Sequence, residues 1–387
     1  MKVGVLLGCS NTGDWDRVLA KDWSRPPSPP DHEIVEGSLK LGDLVEPLGF
    51  DRLWMGEHFG TPYVMTPNVL QHLAYWAGRT EEIELGTAVV VLPWWHPVRL
   101  AHQLSTLDIM LKGRRFAFGV GRGIAESEYA ALGVSREESR DRYQETIEIL
   151  RLALTQQRFS YDGKFFKIPE MSVRPQPRHA DLMDNISAAF TTPESMEIAA
   201  DQGFSQLFVT GASPEEMGKS VARFNGIRAR KGLEPDQATV MLYMYCGTER
   251  EVEASQKYHL EVKTRDAPLH YTGGDPNAFQ GVKGYERYDT IFRKRQEAST
   301  QVLGASTGGD IQAIGTPDQI IEGLQRVQEL TSAKEFLVIV RHGTMPLDEV
   351  EKSMRLFAKE VLPVIQAMPA PIHPASLGDP DAVDAPA

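Results

Sequence analysis

Short apolar runs alternate with amphipathic segments along most of this 387-residue chain, and that alternation restricts the fold more than any other feature. An apolar run of about four to eight residues reads as a strand buried on both faces, and a following segment with apolar residues three and four apart reads as a helix laid on the sheet. Repetition of the pair is the signature of βαβ units and a parallel sheet. The strand Val3 to Leu7 is followed by a helix from His32 to Leu48, closed by Gly49. Asp51 to Glu57 leads to a helix over Pro67 to Gly78, and Ile83 to Leu92 to one over His96 to Lys112, with Pro97 in its first turn and Gly113 beyond its end. Phe116 to Val120 precedes Ser135 to Thr155. The pattern resumes with Asn185 to Ala189, Gln206 to Thr210, Thr239 to Cys246 and Glu335 to Arg341, separated by helical stretches that include Ser195 to Gln202, Pro214 to Lys231 and Pro317 to Thr331 and closed by Leu347 to Ala367.

Eight strands of this kind favour a single (β/α)8 TIM-type barrel with insertions, α/β in class, over an open doubly wound sheet. The barrel domain is expected to span 1–368. Its insertions are a hairpin from Arg158 to Ile168 around Asp162-Gly163 and an excursion over about 251–309, polar and rich in Lys and Arg, that reads as an inserted helical segment or lid. The Pro/Ala/Asp-rich stretch 369–387 is expected to be a disordered tail.

Composition removes several classes of function. The net charge is -12 with no block of Lys and Arg, which excludes the footprint of a nucleic-acid binder. The apolar start, Val3 to Leu7, is too short for a signal peptide, and no run approaches the roughly 18 apolar residues of a membrane span. Cys9 and Cys246 are the two cysteines, far apart in sequence, so neither a disulfide framework nor a cysteine zinc site is expected. A cytoplasmic protein without a membrane partner is the resulting expectation.

In a barrel the site lies where the strands end, which directs attention to Gly56 to Phe59, Leu92 to His96, Gly121 to Gly123, Phe190 to Thr192, Thr210 to Gly211, Cys246 to Thr248 and Arg341 to Gly343. Gly119-Val-Gly121-Arg122-Gly123 has GxGxG spacing rather than the dinucleotide GxGxxG, and three βα units precede it. Small residues there let backbone approach a ligand while Arg122 offers a planar fork to a phosphate; a turn whose arginine pairs with a surface carboxylate is the alternative. Thr191, Thr192 and Ser195 sit at a helix N-terminus, where free N–H groups favour an anion, although capping alone also accounts for them. His58 ends the second strand, and an imidazole at a barrel mouth can exchange protons near neutral pH; spacing alone favours a structural histidine. No second His or carboxylate stands at metal-ligand spacing from it, so no metal is expected. His96, before Pro97, reads as structural.

Leu85 to Arg99, continuing through Leu107-Asp108 and Lys112-Gly-Arg114 to Phe118-Gly-Val-Gly-Arg-Gly123, strongly resembles the α subunit of bacterial luciferase and the wider luciferase-like flavin monooxygenases. Gly49-Phe50-Asp51, Glu57-His58-Phe59, Ser139 to Glu145, Thr192-Pro-Glu-Ser195 and the stretch Glu349 to Pro363 add to the resemblance. It implies a two-component monooxygenase that uses O2 and reduced FMN, supplied by a separate flavin reductase, by way of a C4a-peroxyflavin. Arg122 and Arg140 are implied to hold the FMN phosphate with Thr191, Thr192 and Ser195, with Arg142 an alternative to Arg140. The Ala88 to Val89 peptide matches a place where the family often has a non-proline cis bond beneath the flavin ring, and Gly121 stands at the cofactor where luciferase has a reactive cysteine. Glu57 and His58 match the acid–histidine pair, His58 as general acid/base. Glu128 stands where luciferase has an aspartate, so light emission from a long-chain aldehyde is not implied. Phe59, Trp94 and Trp95 are expected with Glu128 at the substrate pocket, where their bulk suits a small apolar ketone, aldehyde or terpene. An F420-dependent hydride-transfer oxidoreductase and a catalytically silent flavin-binding protein are the competing readings. A homodimer is implied, packed through the early βα units near Asp43, Glu46 and Leu70 to Trp76.

Overall fold

A computed structural model describes residues 1–190, 192–209, 212–282, 284–286, 288–290, 292–293 and 312–379. Eight parallel strands close on themselves. β1 (Lys2–Leu7), β2 (Arg52–Met55), β3 (Glu84–Val91) and β4 (Phe116–Gly121) are followed around the barrel by β7 (Ile186–Ala188), β8 (Ser205–Phe208), β9 (Thr239–Cys246) and β11 (Glu335–Ile339), which pairs back with β1. The antiparallel hairpin β5 (Phe159–Asp162) and β6 (Lys167–Met171) stands apart, and β10 (Ala313–Gly315), which the sequence pattern did not reveal, pairs with the end of β9. The hairpin joins through Gly163 to Phe166 rather than a two-residue turn, because the Glu145 carboxylate accepts from the backbone N–H groups of Lys164, Phe165 and Phe166.

The helices that carry the argument are α1 (Asp31–Gly42), α2 (Val69–Arg79), α3 (Pro97–Met110), α4 (Glu126–Ala131), α5 (Ser139–Thr155), α6 (Pro193–Asp201), α7 (Pro214–Arg230), α8 (Glu249–Glu261), α9 (Ala267–Thr272), α10 (Pro317–Thr331) and α11 (Leu347–Glu360). Their ends follow local chemistry. α7 starts with a reciprocal capping box, Ser213 with Glu216, and Pro214 in its first turn; α8 repeats the device with Thr248 and Glu251. α3 has Pro97 at its first position, where the missing N–H costs nothing.

Two cores result. Outward-facing strand residues such as Val3, Val5, Leu53 and Phe118 pack with Leu73, Leu104, Ile147 and Phe357 of the surrounding helices. Inside the barrel a smaller cluster of Trp54, Ala88, Leu207, Met241 and Leu337 fills the lumen, the inward-pointing layer such a fold requires. Trp54 is the plug: a Cβ at Gly4 would lie 2.5 Å from its Nε1 and one at Gly86 2.6 Å from its Cε3. At Gly119 a Cβ would come within 1.8 Å of the Thr87 carbonyl oxygen, so only glycine lets β3 and β4 approach here.

One expectation needs correction. Residues 369–379 are packed, not disordered: Gln237 and Gln328 donate to the carbonyls of Ala370 and Pro371, and Asn225 to that of Ser376, whose hydroxyl bonds Ser332. Its backbone carbonyls supply acceptors to buried amides, a gain that composition does not register. Residues 380–387 lie outside the described residues. The described part of the 251–309 excursion carries α8, a π-helical turn Val262–Asp266 and α9 and brings buried side chains to the barrel mouth. Residues 294–311 lie outside the described residues. Among the described residues no helix is long and apolar enough to cross a membrane.

Candidate functional site

A cavity of about 280 Å³ opens at the C-terminal ends of the strands. β2 delivers Glu57 and His58, β3 delivers Ala88 and Val89, β4 ends in Gly121 and Arg122, and the start of α6 adds Thr192 and Ser195; all eight line it. The Ala88–Val89 peptide is cis. Thr192 caps α6, its hydroxyl accepting from Ser195 N–H at 3.2 Å and lying 2.8 Å from the Ser195 hydroxyl. Thr191 lies outside the described residues, as do Thr210 and Gly211.

Arg122 donates to the Gly284 carbonyl at 3.0 Å and lies over the Tyr285 ring, 4.8 Å from its centroid. No carboxylate among the described residues pairs with it. Its guanidinium is thus not held in an ion pair, although the Glu286 carboxylate lies close enough to feel its charge. Arg140 adjoins Arg122 and Ser195 around a second, smaller hollow and is paired with Glu194 at the first turn of α6. Arg142 turns the other way, bonding Glu138 at 2.8 Å and stacking on Phe165. Of the two arginines offered by the sequence, Arg140 is the one beside the cavity.

Glu57 is 3% exposed. Its carboxyl accepts from Val91 N–H at 2.7 Å and from Trp95 Nε1 at 3.0 Å, and burial pushes its pKa up to about 8. His58 has both ring nitrogens engaged. Nδ1 lies 3.1 Å from Glu128 and 3.1 Å from Nε2 of His270, and Nε2 lies 3.0 Å from the Tyr271 hydroxyl. Glu128 also accepts from Phe59 N–H. Burial alone would raise the Glu128 carboxyl, but the charge and hydrogen bonds of His58 and His270 outweigh it and hold the group down to about 2. His270 is fully buried, which lowers its pKa, and its Nδ1 is 2.7 Å from the Thr61 hydroxyl.

Phe59, Trp94, Trp95 and Glu128 do not line the cavity, contrary to expectation. The short helical turn Leu92–Trp94 rotates the indoles off the mouth. Trp95 serves Glu57 instead, Trp94 packs edge-on between Phe59 and Tyr129, and Glu128 lies beside His58. The case for a purely apolar substrate, which rested on those indoles, falls with them. Donor atoms of Glu128 and His270, distant from His58 in sequence, come within 3.5 Å of one another beside it and form a set of types able to hold a cation. Here they bond to each other.

Sequence reasoning missed His270, Tyr271, Tyr285 and Tyr243. All four lie in or after the barrel's last third; Tyr271, Tyr285 and Tyr243 line the cavity, while His270 touches it through His58. Adjacent aromatic residues at 270–271 in an otherwise polar stretch were the only signal available.

A closed parallel barrel with an arginine-bearing cavity at its C-terminal rim defines a (β/α)8-barrel enzyme site. Residues 24–334 match the luciferase-like monooxygenase family, and the chain belongs to it. It is similar to the alkanal monooxygenase α chain of Aliivibrio fischeri, 27% identical over 344 residues that cover 87% of this chain and 95% of that one. The oxygenase component of a flavin-dependent trigonelline monooxygenase from Acinetobacter baylyi is 26% identical over 348 residues, 86% of this chain and 90% of that one. Among solved structures, monooxygenase RslO1 from Streptomyces bottropensis superposes with a TM-score of 0.73 at 25% identity, over 94% of this chain and 100% of that one. The oxygenating constituent of 3,6-diketocamphane monooxygenase from Pseudomonas putida, solved with FMN, shares the fold with a TM-score of 0.65 at 18% identity, covering 87% and 95%. So does an F420-dependent secondary alcohol dehydrogenase, at 0.66 and 15%, covering 93% and 98%. The resemblance and the barrel expected from sequence are both borne out: the chain is an enzyme of the luciferase-like monooxygenase family.

Proposed function

We propose that this chain is the oxygenase component of a two-component monooxygenase, which takes reduced FMN from a separate reductase and uses O2 to oxygenate a small organic substrate. The observation that carries the reading is Arg122, aimed into the cavity without a carboxylate partner among the described residues and flanked by Thr192 and Ser195 at the start of α6. Arg122 and Arg140 bind the phosphate, with the hydroxyls of Thr192 and Ser195 and, in the same proposed set, Thr191. When bound, reduced FMN supplies the electrons that activate oxygen. Ala88 and Val89 with Gly121 form the wall against which its ring rests. His58 holds or passes a proton at Nε2, where Tyr271 meets it, while Glu128 fixes the ring through Nδ1. Glu57, kept neutral by burial, holds Val91 and Trp95 and so shapes the wall behind.

The F420 reading shares the fold, but the sequence relatives described above are monooxygenases. Homodimerisation through α2 and α3 is supported by exposed Tyr75, Ile109 and Met110 beside a surface groove between the two helices. Asp43 and Glu46 are occupied within the chain, by Arg79 and by the backbone of Glu81 to Ile83. Titration of the purified protein with FMN, in both redox states, and with F420 tests the assignment. FMN binding that weakens about a hundredfold in Arg122→Glu supports it; no affinity for FMN, or affinity indifferent to that charge reversal, ends it.

A further inference from the structure

We propose that the substrate of this enzyme carries a carboxylate, or an anionic group of the same kind, and that Arg341 is the residue that receives it; the inference rests on the monooxygenase reading above. Arg341 follows the last barrel strand, β11, and its side chain lines the cavity. Its Nε donates to the Met345 carbonyl at 3.3 Å, while Nη1 is buried and has no hydrogen-bond partner. No carboxylate among the described residues pairs with it. Burial lowers its pKa, as expected of a charge taken from water without compensation.

Arg114 shows what a purely structural arginine does in this protein. Also free of a carboxylate partner, it spends its donors on the carbonyls of Leu111, Ile83 and Ala77 and the Thr80 hydroxyl. Arg341 has one acceptor where Arg114 has four. A buried guanidinium left this far short of partners is costly, and the cost is offset when an anion enters the cavity.

The flavin phosphate is not that anion. Around the barrel the strands run β1, β2, β3, β4, β7, β8, β9, β11, so β4 and β11 stand diametrically opposed, and Arg122 and Arg341 lie at opposite rims of the same cavity. Neither guanidinium is ion-paired with a carboxylate among the described residues, and one phosphate cannot serve both. The electrostatics of the lining agree. Arg122 and Arg341 line the cavity, whereas Glu57, held neutral by burial, is the one carboxylic acid among its described lining residues. In a chain of net charge -12 this is a local inversion of sign that draws in anions.

The test compares purified full-length protein with its Arg341→Gln and Arg341→Lys variants, each with and without saturating FMN. Three carboxylates of different shape, benzoate, nicotinate and hexanoate, are titrated beside their primary amides, which match them in size but carry no charge. Binding is read from thermal shift and, in the loaded protein, from perturbation of the flavin absorption band. The wild type is expected to prefer at least one carboxylate over its amide by about tenfold to a hundredfold, the usual return on a charge-assisted pair. Arg341→Gln should abolish that preference, Arg341→Lys should restore part of it, and neither should change FMN affinity.

Absence of carboxylate preference for all three pairs, or its survival in Arg341→Gln, overturns the proposal. If Arg341→Gln instead weakens FMN binding itself, the guanidinium belongs to the flavin ring and the proposal is equally lost. Failure of the protein to bind FMN at all is a different result: it removes the monooxygenase reading, while the carboxylate titration of the unloaded protein still reports on Arg341. Unchanged melting temperatures of the variants without ligand show that folding is not what has been altered.

Discussion

Glu57→Gln offers a measurement in which the buried acid declares its charge. The folded protein holds this carboxyl near 8 because burial penalises the anion more than the Val91 and Trp95 donors reward it. In the unfolded chain it titrates near the ordinary value of 4.5. Below that value both states are protonated and the group is silent. Between there and 8 the folded state keeps a proton that the unfolded state has released, so stability falls steadily as pH rises. Past pH 8 the loss amounts to about 5 kcal/mol. A glutamine cannot ionise, and it keeps one oxygen for the two donors; its amide hydrogens, lacking an acceptor in the apolar wall, cost about 1–2 kcal/mol. The two stability curves therefore cross. By urea unfolding, the variant is expected to be less stable than wild type by up to about 1 kcal/mol at pH 5 and more stable by about 3 kcal/mol at pH 9. Curves that run parallel from pH 5 to 9 would show that Glu57 is ionised in the folded state and that the argument from burial is wrong.

His58→Ala should slow coupled oxygenation about a hundredfold or more and divert oxygen to free hydrogen peroxide, with FMN affinity unchanged; stoichiometric comparison of O2 consumed and product formed decides it, and full coupling removes His58 from the mechanism. Tyr271→Phe deletes the hydroxyl 3.0 Å from His58 Nε2 and is expected to alter the pH profile of kcat without moving FMN affinity, whereas an unaltered profile assigns Tyr271 to packing alone. Gly119→Ala places a methyl 1.8 Å from the Thr87 carbonyl oxygen, at a point where Thr87 and Gly119 also exchange hydrogen bonds. The expected loss is about 4 kcal/mol or more, seen as insoluble expression or a collapsed Tm; a variant that purifies with the wild-type Tm contradicts the packing account.

Local patterns carried the barrel and half of the site. β3 reads as a doubly buried run because Leu85 to Leu92 is almost continuously apolar, and Pro97, Gly49 and Gly113 punctuate chain turns that depend on φ alone. Arg122, His58 and Ser195 were legible because each sits within a few residues of a strand end or helix start that local sequence defines. What escaped depends on long-range placement. His270 reaches His58 across 212 positions, by way of a π-helical turn that no hydrophobic period announces. Trp94 and Trp95 were assigned to the mouth because they follow β3, but a single turn of tight helix decides which way an indole faces, and that turn has no distinct signature. The order of residues 369–379 depends on amides of Asn225, Gln237 and Gln328 that composition cannot pair with it.

The stretch after α8 touches the cavity at both extremities: His270 and Tyr271 close on His58, while Gly284 and Tyr285 hold Arg122. Grip at one end and enclosure at the other are thus tethered by a single short length of chain. The Gly284 carbonyl that Arg122 would release to an arriving phosphate thus belongs to the same run of chain whose other end, at His270 and Tyr271, encloses the imidazole.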